Sequence, residues 1–338
     1  MKAYKIKNIA GNISLKLEEN LIPEPGENEV RIRVAATSLN YRDLIMLDQA
    51  IDGSLDDRVP LSDGAGIVDA IGTGVTEWAM GDRVIISYFR DWVSGRFRSA
   101  YLNSALGGPD TDGVLAEYII MPSSALVSVP EHLSLEQAAT LPCAAVTAWH
   151  GLFVRGGLQA NDTLLVQGTG GVALFALQFA VAVGARVIVL SSSDKKLEHA
   201  KALGASDLIN YQKTPEWQNA VRNATSGEGV THVLELGGPD TYERSLQSLA
   251  PTGHLIQVGV LTGFAPKPDL SIIQPLNADI HGIIVGSTAH LHDLSEFMLS
   301  HNLFPIIDSS FAFENANSAI AHLRSGSHFG KVVLRVSS

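Results

Sequence analysis

With 338 residues, 46% of them hydrophobic and 17% charged, the chain is long enough for two domains with sizeable cores. Its formal net charge of -11, from 24 Lys and Arg against 35 Asp and Glu, argues against general nucleic-acid binding, which needs basic patches. The single cysteine, Cys143, excludes an internal disulfide and an all-cysteine metal site, and it fits a reducing cytosol.

The opening MKAYKIKNIAGN has no apolar core of signal-peptide type, and the longest apolar run is too short to span a bilayer. A cytoplasmic protein with no membrane partner is expected. Residues 1–38 read as strands (MKAYKI, ISLKLEE, EVRIRVAATSL), with PEPGENE as a turn. NYRDLIMLDQA reads as a short helix. Strands return over 59–86, and Gly64, Gly66, Gly72, Gly74 and Gly81 mark the turns and bends of a small β-barrel-like fold. Residues 90–113 read as a long polar, solvated loop, with Arg90, Arg96 and Arg98 as its cations. VLAEYIIMP and ALVSVP follow as strands. LSLEQAATLPCAAVTAWHGLFVRG then reads as two helices separated by Pro142.

From residue 163 strands and helices alternate. TLLVQ, RVIVL, DLINY, THVLEL, HLIQVGV and GIIVGS are six strand candidates, which argue for a doubly wound parallel sheet. The tail, FAFENANSAIAHLRSGSHFGKVVLRV, is a helix and a strand resembling the N-terminal β region. The economical organisation is a split domain, 1–123 with 289–338, around a Rossmann domain at 124–288.

The first turn of that alternation, Gly168-Thr169-Gly170-Gly171-Val172-Ala173, is a G-x-G-x-x-A pattern between a strand and an apolar helix. Gly168 permits the tight turn and Gly170 lets the backbone approach a pyrophosphate. Ala173 keeps helix and strand close, and the helix N-terminus offers free N–H groups to phosphate. Strand, turn, helix and strand in register make this a dinucleotide-binding fingerprint. NAD binders usually place an acid at the end of the second strand, about 20 residues on. Here that place reads Ser191-Ser192-Ser193, and Asp194 is better explained as the N-cap of the next helix. Hydroxyls followed by Lys195 and Lys196 favour NADPH over NADH.

The chain resembles the medium-chain dehydrogenase/reductase superfamily, and within it the quinone-oxidoreductase-like or zinc-type alcohol dehydrogenase-like group. The resemblance runs through PEPGENEVRIRV, SLNYRD, PLSDGAGIVDAIGTGV, GDRV, GVLAEY, TLPCAAVTAW, VQGTGGVALFALQFA, SSSDKKLEHAKALGA, INY, VLELGGPDT and GSHFGKVVLRV, and so covers essentially the whole chain. It implies a GroES-like β-barrel catalytic domain beside the Rossmann domain, a nicotinamide cofactor in the cleft between them, and a homodimer. It also assigns cofactor contacts. Gly168, Gly170, Gly171, Val172 and Ala173 would line the pyrophosphate. Ser192, Lys196 and Tyr211 would meet the 2′-phosphate and adenine. Thr147 would approach the nicotinamide. Val258, Val260, Gly286 and Ser287 would hold the carboxamide, and Phe329 and Lys331 lie in a segment that returns to the cofactor. Thr288 stands where relatives carry Arg.

Alcohol dehydrogenases of this superfamily hold a catalytic zinc through an early Cys, the His of a His-Glu pair and a later Cys or Asp. Here those places match Asn40, Ser62-Asp63 and Cys143, and one plausible ligand of three does not make a site. The resemblance therefore points to an enzyme without zinc that transfers hydride to an activated small-molecule carbonyl, a quinone or an α,β-unsaturated ketone. The charge on the carbonyl oxygen would be met by hydrogen-bond donors. Asn40, Tyr41 and Arg42 are the candidate donors, with Tyr41 able to give a hydrogen bond or a proton and Asp63 orienting a neighbour such as Arg42 or binding water. An alcohol dehydrogenase that recruits zinc through Cys143, Asp63 and a loop histidine, and a cofactor-binding sensor without turnover, stand as rivals.

Overall fold

β-rich runs too apolar for a solvated face alternate with helices after residue 162, and such strands are stable only when covered on both sides. The computed structural model describes residues 1–9, 12–263 and 271–336. Its chain divides into two compact units, Met1–Val146 with Val285–Ser338, and Thr147–Ile284. The stretch 124–146, counted with the Rossmann half on sequence, packs with the first unit.

In the second unit the order is β1 (Thr163–Gln167), α1 (Gly171–Ala182), β2 (Arg186–Ser191), α2 (Asp194–Ala202), β3 (Asp207–Asn210), α3 (Trp217–Ala224), β4 (Val230–Glu235), α4 (Pro239–Ser248), β5 (Leu249–Gln257) and β6 (Asp279–Gly282). The strands run parallel in the order β3-β2-β1-β4-β5-β6. This is the doubly wound order with its switch point between β1 and β4. Leu164, Leu165, Val166 and the run Val187, Ile188, Val189, Leu190 are buried, as strands covered on both faces require. The helix α1 is apolar all round and buries Leu174, Phe175, Leu177 and Phe179. The sixth strand ends at Gly282, where GIIVGS was expected to begin. Ile283 still donates to the Gln257 carbonyl at 3.0 Å, and then Val285 takes a positive φ of 49° and turns the chain off the ladder.

The first unit is built on the long strand Glu29–Leu39. Its N-terminal half pairs with Tyr118–Pro122, its C-terminal end with Lys331–Arg335, and its other edge with Asp63–Ile71. Arg83–Ile86 and Leu126–Ser128 extend one side of this sheet and Ile307–Ala312 the other. The split organisation thus has a direct cause: the C-terminal strand completes a sheet begun near residue 29.

Two local readings change. The stretch 90–113 is exposed over 93–100 but anchored at Trp92 and over 104–108, so it is not a loop solvated throughout. Phe89 and Trp92 are buried, Phe97 and Tyr101 lie 5.0 and 6.0 Å from the Trp92 ring, and Ser99–Ser104 coils into a 3₁₀ helix. Arg90 pairs with Glu29 at 3.1 Å, and the Trp92 and Val93 carbonyls accept from the first N–H groups of the helix Thr288–Ser300. The aromatic residues scattered through a polar stretch were the signal. Pro142, read as a break between two helices, lies at the start of a helical run over 141–155 that contains π turns. No helix among the described residues is long and apolar enough to cross a membrane.

Two buried polar features stabilise the second unit. Glu235, at the end of β4, is fully buried and forms no ion pair among the described residues. Its carboxylate accepts from the Gly237 and Gly238 backbone at 2.9 and 2.8 Å, from Thr241 and Ser245, and from the Gln167 amide at 2.7 Å. Gln167 returns its oxygen to the Leu236 and Gly237 N–H groups at 3.0 Å. Beside this network, His232, His254 and His281 of β4, β5 and β6 stack at 5.0 and 5.3 Å. Burial lowers the pKa of His232 and His281.

Glu235→Gln turns an acceptor into a donor facing donors, so it should lower unfolding stability by about 1–3 kcal/mol, read as a fall in Tm. The histidines act through pH. Below about pH 6.5 the unfolded chain takes up protons that the folded His232 and His281 resist, so stability falls as pH drops through that value. Replacing His232 with Asn should flatten the decline in Tm between pH 7.5 and 5.

Candidate active site

Strand register brings three distant polar side chains together. Leu39 lies opposite Val332 and Ser38 opposite Asp63. One residue further along, Asn40 therefore meets Lys331, with Asp63 on the other flank. Gly330 allows the approach: its φ is +93°, and a Cβ there would lie 2.3 Å from the Ile306 carbonyl oxygen. The Lys331 Nζ donates to the Asn40 Oδ1 at 2.6 Å, the Leu39 carbonyl at 2.9 Å and the Asp63 Oδ2 at 3.2 Å. Lys331 is 2% exposed and Asp63 fully buried. Ser38 donates to Asp63 at 3.0 Å and Ser62 at 3.4 Å. Because an ammonium only donates, the atom of Asn40 that faces it is the oxygen. The amide nitrogen Nδ2 is then left buried, with no partner among the described residues. Such a group costs about 1–3 kcal/mol where nothing binds it.

The neighbouring acid is Asp43. It accepts from the Asn40 backbone N–H at 2.7 Å and from Arg42 at 3.3 Å. Burial pushes the Asp43 pKa up to about 6, with Arg42 and the Asn40 N–H pulling the other way. Arg42 also donates to the Leu106 carbonyl at 3.0 Å and lies over the Tyr88 ring at 5.1 Å. Asp63 thus pairs with Lys331, and the carboxylate that orients Arg42 is Asp43, contrary to the sequence reading. Tyr41, at the first turn of the helix Tyr41–Gln49, is 45% exposed and is not brought into the cluster. Lys331, carried over as a cofactor contact, has its three ammonium protons committed within its own unit. It is the residue that sequence reasoning placed least well, because its partners lie 268 and 291 positions away.

These donors do not suit zinc. Asn40 Oδ1 and Asp63 Oδ2 already hold an ammonium, and a dication among them would face a fixed positive charge. Burial, with Asp63 nearby, pushes the Cys143 thiol up, away from the thiolate that zinc requires. Among the described residues no group of three or more His, Cys, Asp or Glu is placed to hold a metal.

In the second unit the glycine turn fits a dinucleotide. Gly168 has φ +80°, and Cβ atoms at Gly168 and Gly170 would meet nothing within 4 Å, so the turn presents bare backbone to open space. Gly171 and Val172 begin α1 with their N–H groups unspent in the helix, and Ala173 is buried against the sheet. Pairing of Asn210 with Ser191 sets Tyr211 beside the end of β2, where Ser192 is exposed. Ser193, not Asp194, caps α2, accepting from the Lys196 N–H at 3.4 Å. Asp194 instead binds Asn210 at 2.7 Å and Lys213. Val258 and Val260 follow β5, with the Val258 N–H on the Glu235 carbonyl. Thr147 is buried at the start of this unit. Gly286, Ser287 and Phe329 belong to the first unit. There Ser287 caps the helix Thr288–Ser300, and the Phe329 N–H donates to Asp308 at 2.8 Å.

Residues 26–131 match the family model of the alcohol dehydrogenase GroES-like domain, and residues 171–300 that of the zinc-binding dehydrogenase. A zinc-type alcohol dehydrogenase-like protein of Schizosaccharomyces pombe is 42% identical, covering 97% of each chain. A solved alcohol dehydrogenase-like structure from Sinorhizobium meliloti 1021 superposes with a TM-score of 0.92 at 39% identity, covering 99% of this chain and 98% of that one. A 2-methylene-furan-3-one reductase of Solanum lycopersicum is 29% identical over 99% of this chain and 79% of its own.

Removing the ammonium strands a buried carboxylate. Lys331→Met should destabilise the protein by about 3–5 kcal/mol in denaturant unfolding, and adding Asp63→Asn should restore much of the loss.

Proposed function

Because the chain belongs to the medium-chain dehydrogenase/reductase superfamily and is a nicotinamide-dependent oxidoreductase, we propose that it works without zinc, prefers NADPH and reduces an activated carbonyl. The observation that carries this reading is the Lys331 ammonium lodged among residues at the zinc-ligand positions. The protein has built a permanent cation into the place where relatives with alcohol dehydrogenase chemistry hold an exchangeable one.

A bound reduced nicotinamide supplies the hydride, and the electron pair that arrives with it leaves negative charge on the substrate oxygen. The chain's own part is to hold the cofactor on the bare Gly168–Gly171 backbone and to offer the buried Asn40 amide as a donor for that charge. Support for NADPH comes from the end of β2. The nearest acid, Asp194, is taken up by Lys213 and Asn210, while Ser192 and Tyr211 follow the ends of β2 and β3 and Lys196 lies in the first turn of α2. The name of the tomato relative denotes reduction of an enone, which supports that substrate class.

NADPH oxidation with cyclohex-2-en-1-one and 1,4-benzoquinone should proceed equally with and without 1,10-phenanthroline. Lys196→Ala should raise KM for NADPH about tenfold while changing that for NADH less than twofold, the loss of one charge-assisted contact to phosphate. Chelator-sensitive oxidation of simple alcohols would overturn the reading.

A further inference from the structure

We propose that the Asn40 Nδ2 is the donor that receives the developing oxyanion, and that Lys331 acts through it as a positioning residue. The inference deepens the zinc-free reading and rests on it. Lys331 carries three protons, and Leu39, Asn40 and Asp63 take all three. The ammonium has none left for a substrate. What it does instead is choose the orientation of the Asn40 amide. By holding Oδ1 at 2.6 Å it turns the NH₂ group the other way, and that group is buried without a partner among the described residues. Asn40 as a whole is 9% exposed.

The other candidates are held elsewhere or out of place, the Arg42 guanidinium lying over the Tyr88 ring at 5.1 Å. Tyr41 is 45% exposed, Arg42 donates to Leu106 and Asp43, and Asp63 accepts from Ser38, Ser62 and Lys331. Asn40 also stands at the position that the resemblance matches to the family's first metal ligand. The positive charge behind it polarises the amide, because Nζ draws electron density toward Oδ1 and makes the N–H groups better donors. The balance of the step is simple. The reduced cofactor loses a hydride and becomes oxidised, the β-carbon of the enone gains it, and the carbonyl oxygen takes the charge against Nδ2. A proton from water then completes the saturated ketone.

The test uses the full chain with NADPH and cyclohex-2-en-1-one. Asn40→Asp keeps the oxygen that Lys331 binds and removes the donor. Its kcat should fall by about 10²–10³-fold with the NADPH Kd and Tm nearly unchanged. The double variant Lys331→Met with Asp63→Asn keeps the interior neutral but releases the amide. It should fold and still lose at least about tenfold in kcat, whereas a purely structural Lys331 would leave this stabilised variant active. In [¹⁵N]Asn-labelled protein holding NADP⁺, the side-chain NH₂ signal missing from the Asn40→Asp spectrum should move downfield when the enone is added. An unmoved signal, or Asn40→Asp turnover within threefold of the parent, would overturn the inference. Loss of parental turnover to chelator would instead bring down the zinc-free reading on which it stands.

Discussion

The Lys331 ammonium is the constraint around which the first unit is arranged. An unpaired charge in a protein interior is prohibitively costly, so a lysine that is 2% exposed survives only if each of its protons has an acceptor. Those acceptors come from the end of the strand Glu29–Leu39, from Asn40 just beyond it and from the head of the strand Asp63–Ile71. The ammonium therefore ties the C-terminal strand to two N-terminal ones at the point where all three end. The split domain and the candidate site have one cause.

The two units manage buried carboxylates differently. Asp63 is balanced by a formal positive charge, and Asp43 by Arg42 and a backbone N–H, with its pKa still raised by burial to about 6. Among the described residues Glu235 has no cation and is held by backbone, hydroxyl and amide donors. The consequence differs with the solution. Glu235 and Gln167 tie the loop that leaves β4 to the end of β1, the two strands flanking the switch point, where a dinucleotide binds in this sheet order. The Asp63 arrangement leaves one amide over, and a leftover donor in a dry place is what carbonyl reduction requires.

On the proposed zinc-free reading, a family pattern keeps its geometry and changes its chemistry. Asn40, Ser62-Asp63 and Cys143 hold the matching positions, yet the charge among them is supplied by a covalently attached lysine. A tethered cation cannot be lost to a chelator, but it also cannot coordinate a substrate oxygen, since its protons are all engaged. Charge and hydrogen-bond donation are thereby separated onto two residues.

Much of the second unit could be read from residues alone. Its fingerprint turn, first strand and apolar helix are local: a Gly that needs positive φ, a strand too apolar to be solvated and a helix start all fall within about 30 residues, where chain connectivity already dictates proximity. The absence of an acid at the end of β2 was equally local. The anchoring of the stretch 90–113 was missed because polar neighbours hid the packing of Trp92, and the end of the sixth strand because the turn at Val285 depends on tertiary surroundings. The sequence by itself determined a dinucleotide-binding α/β unit, a split β domain and a set of zinc-ligand positions filled with poor ligands. Only the tertiary structure decided what stands in their place. Lys331 and Asn40 are 291 positions apart, and their meeting follows from antiparallel register, a long-range pairing that no local pattern of side chains records.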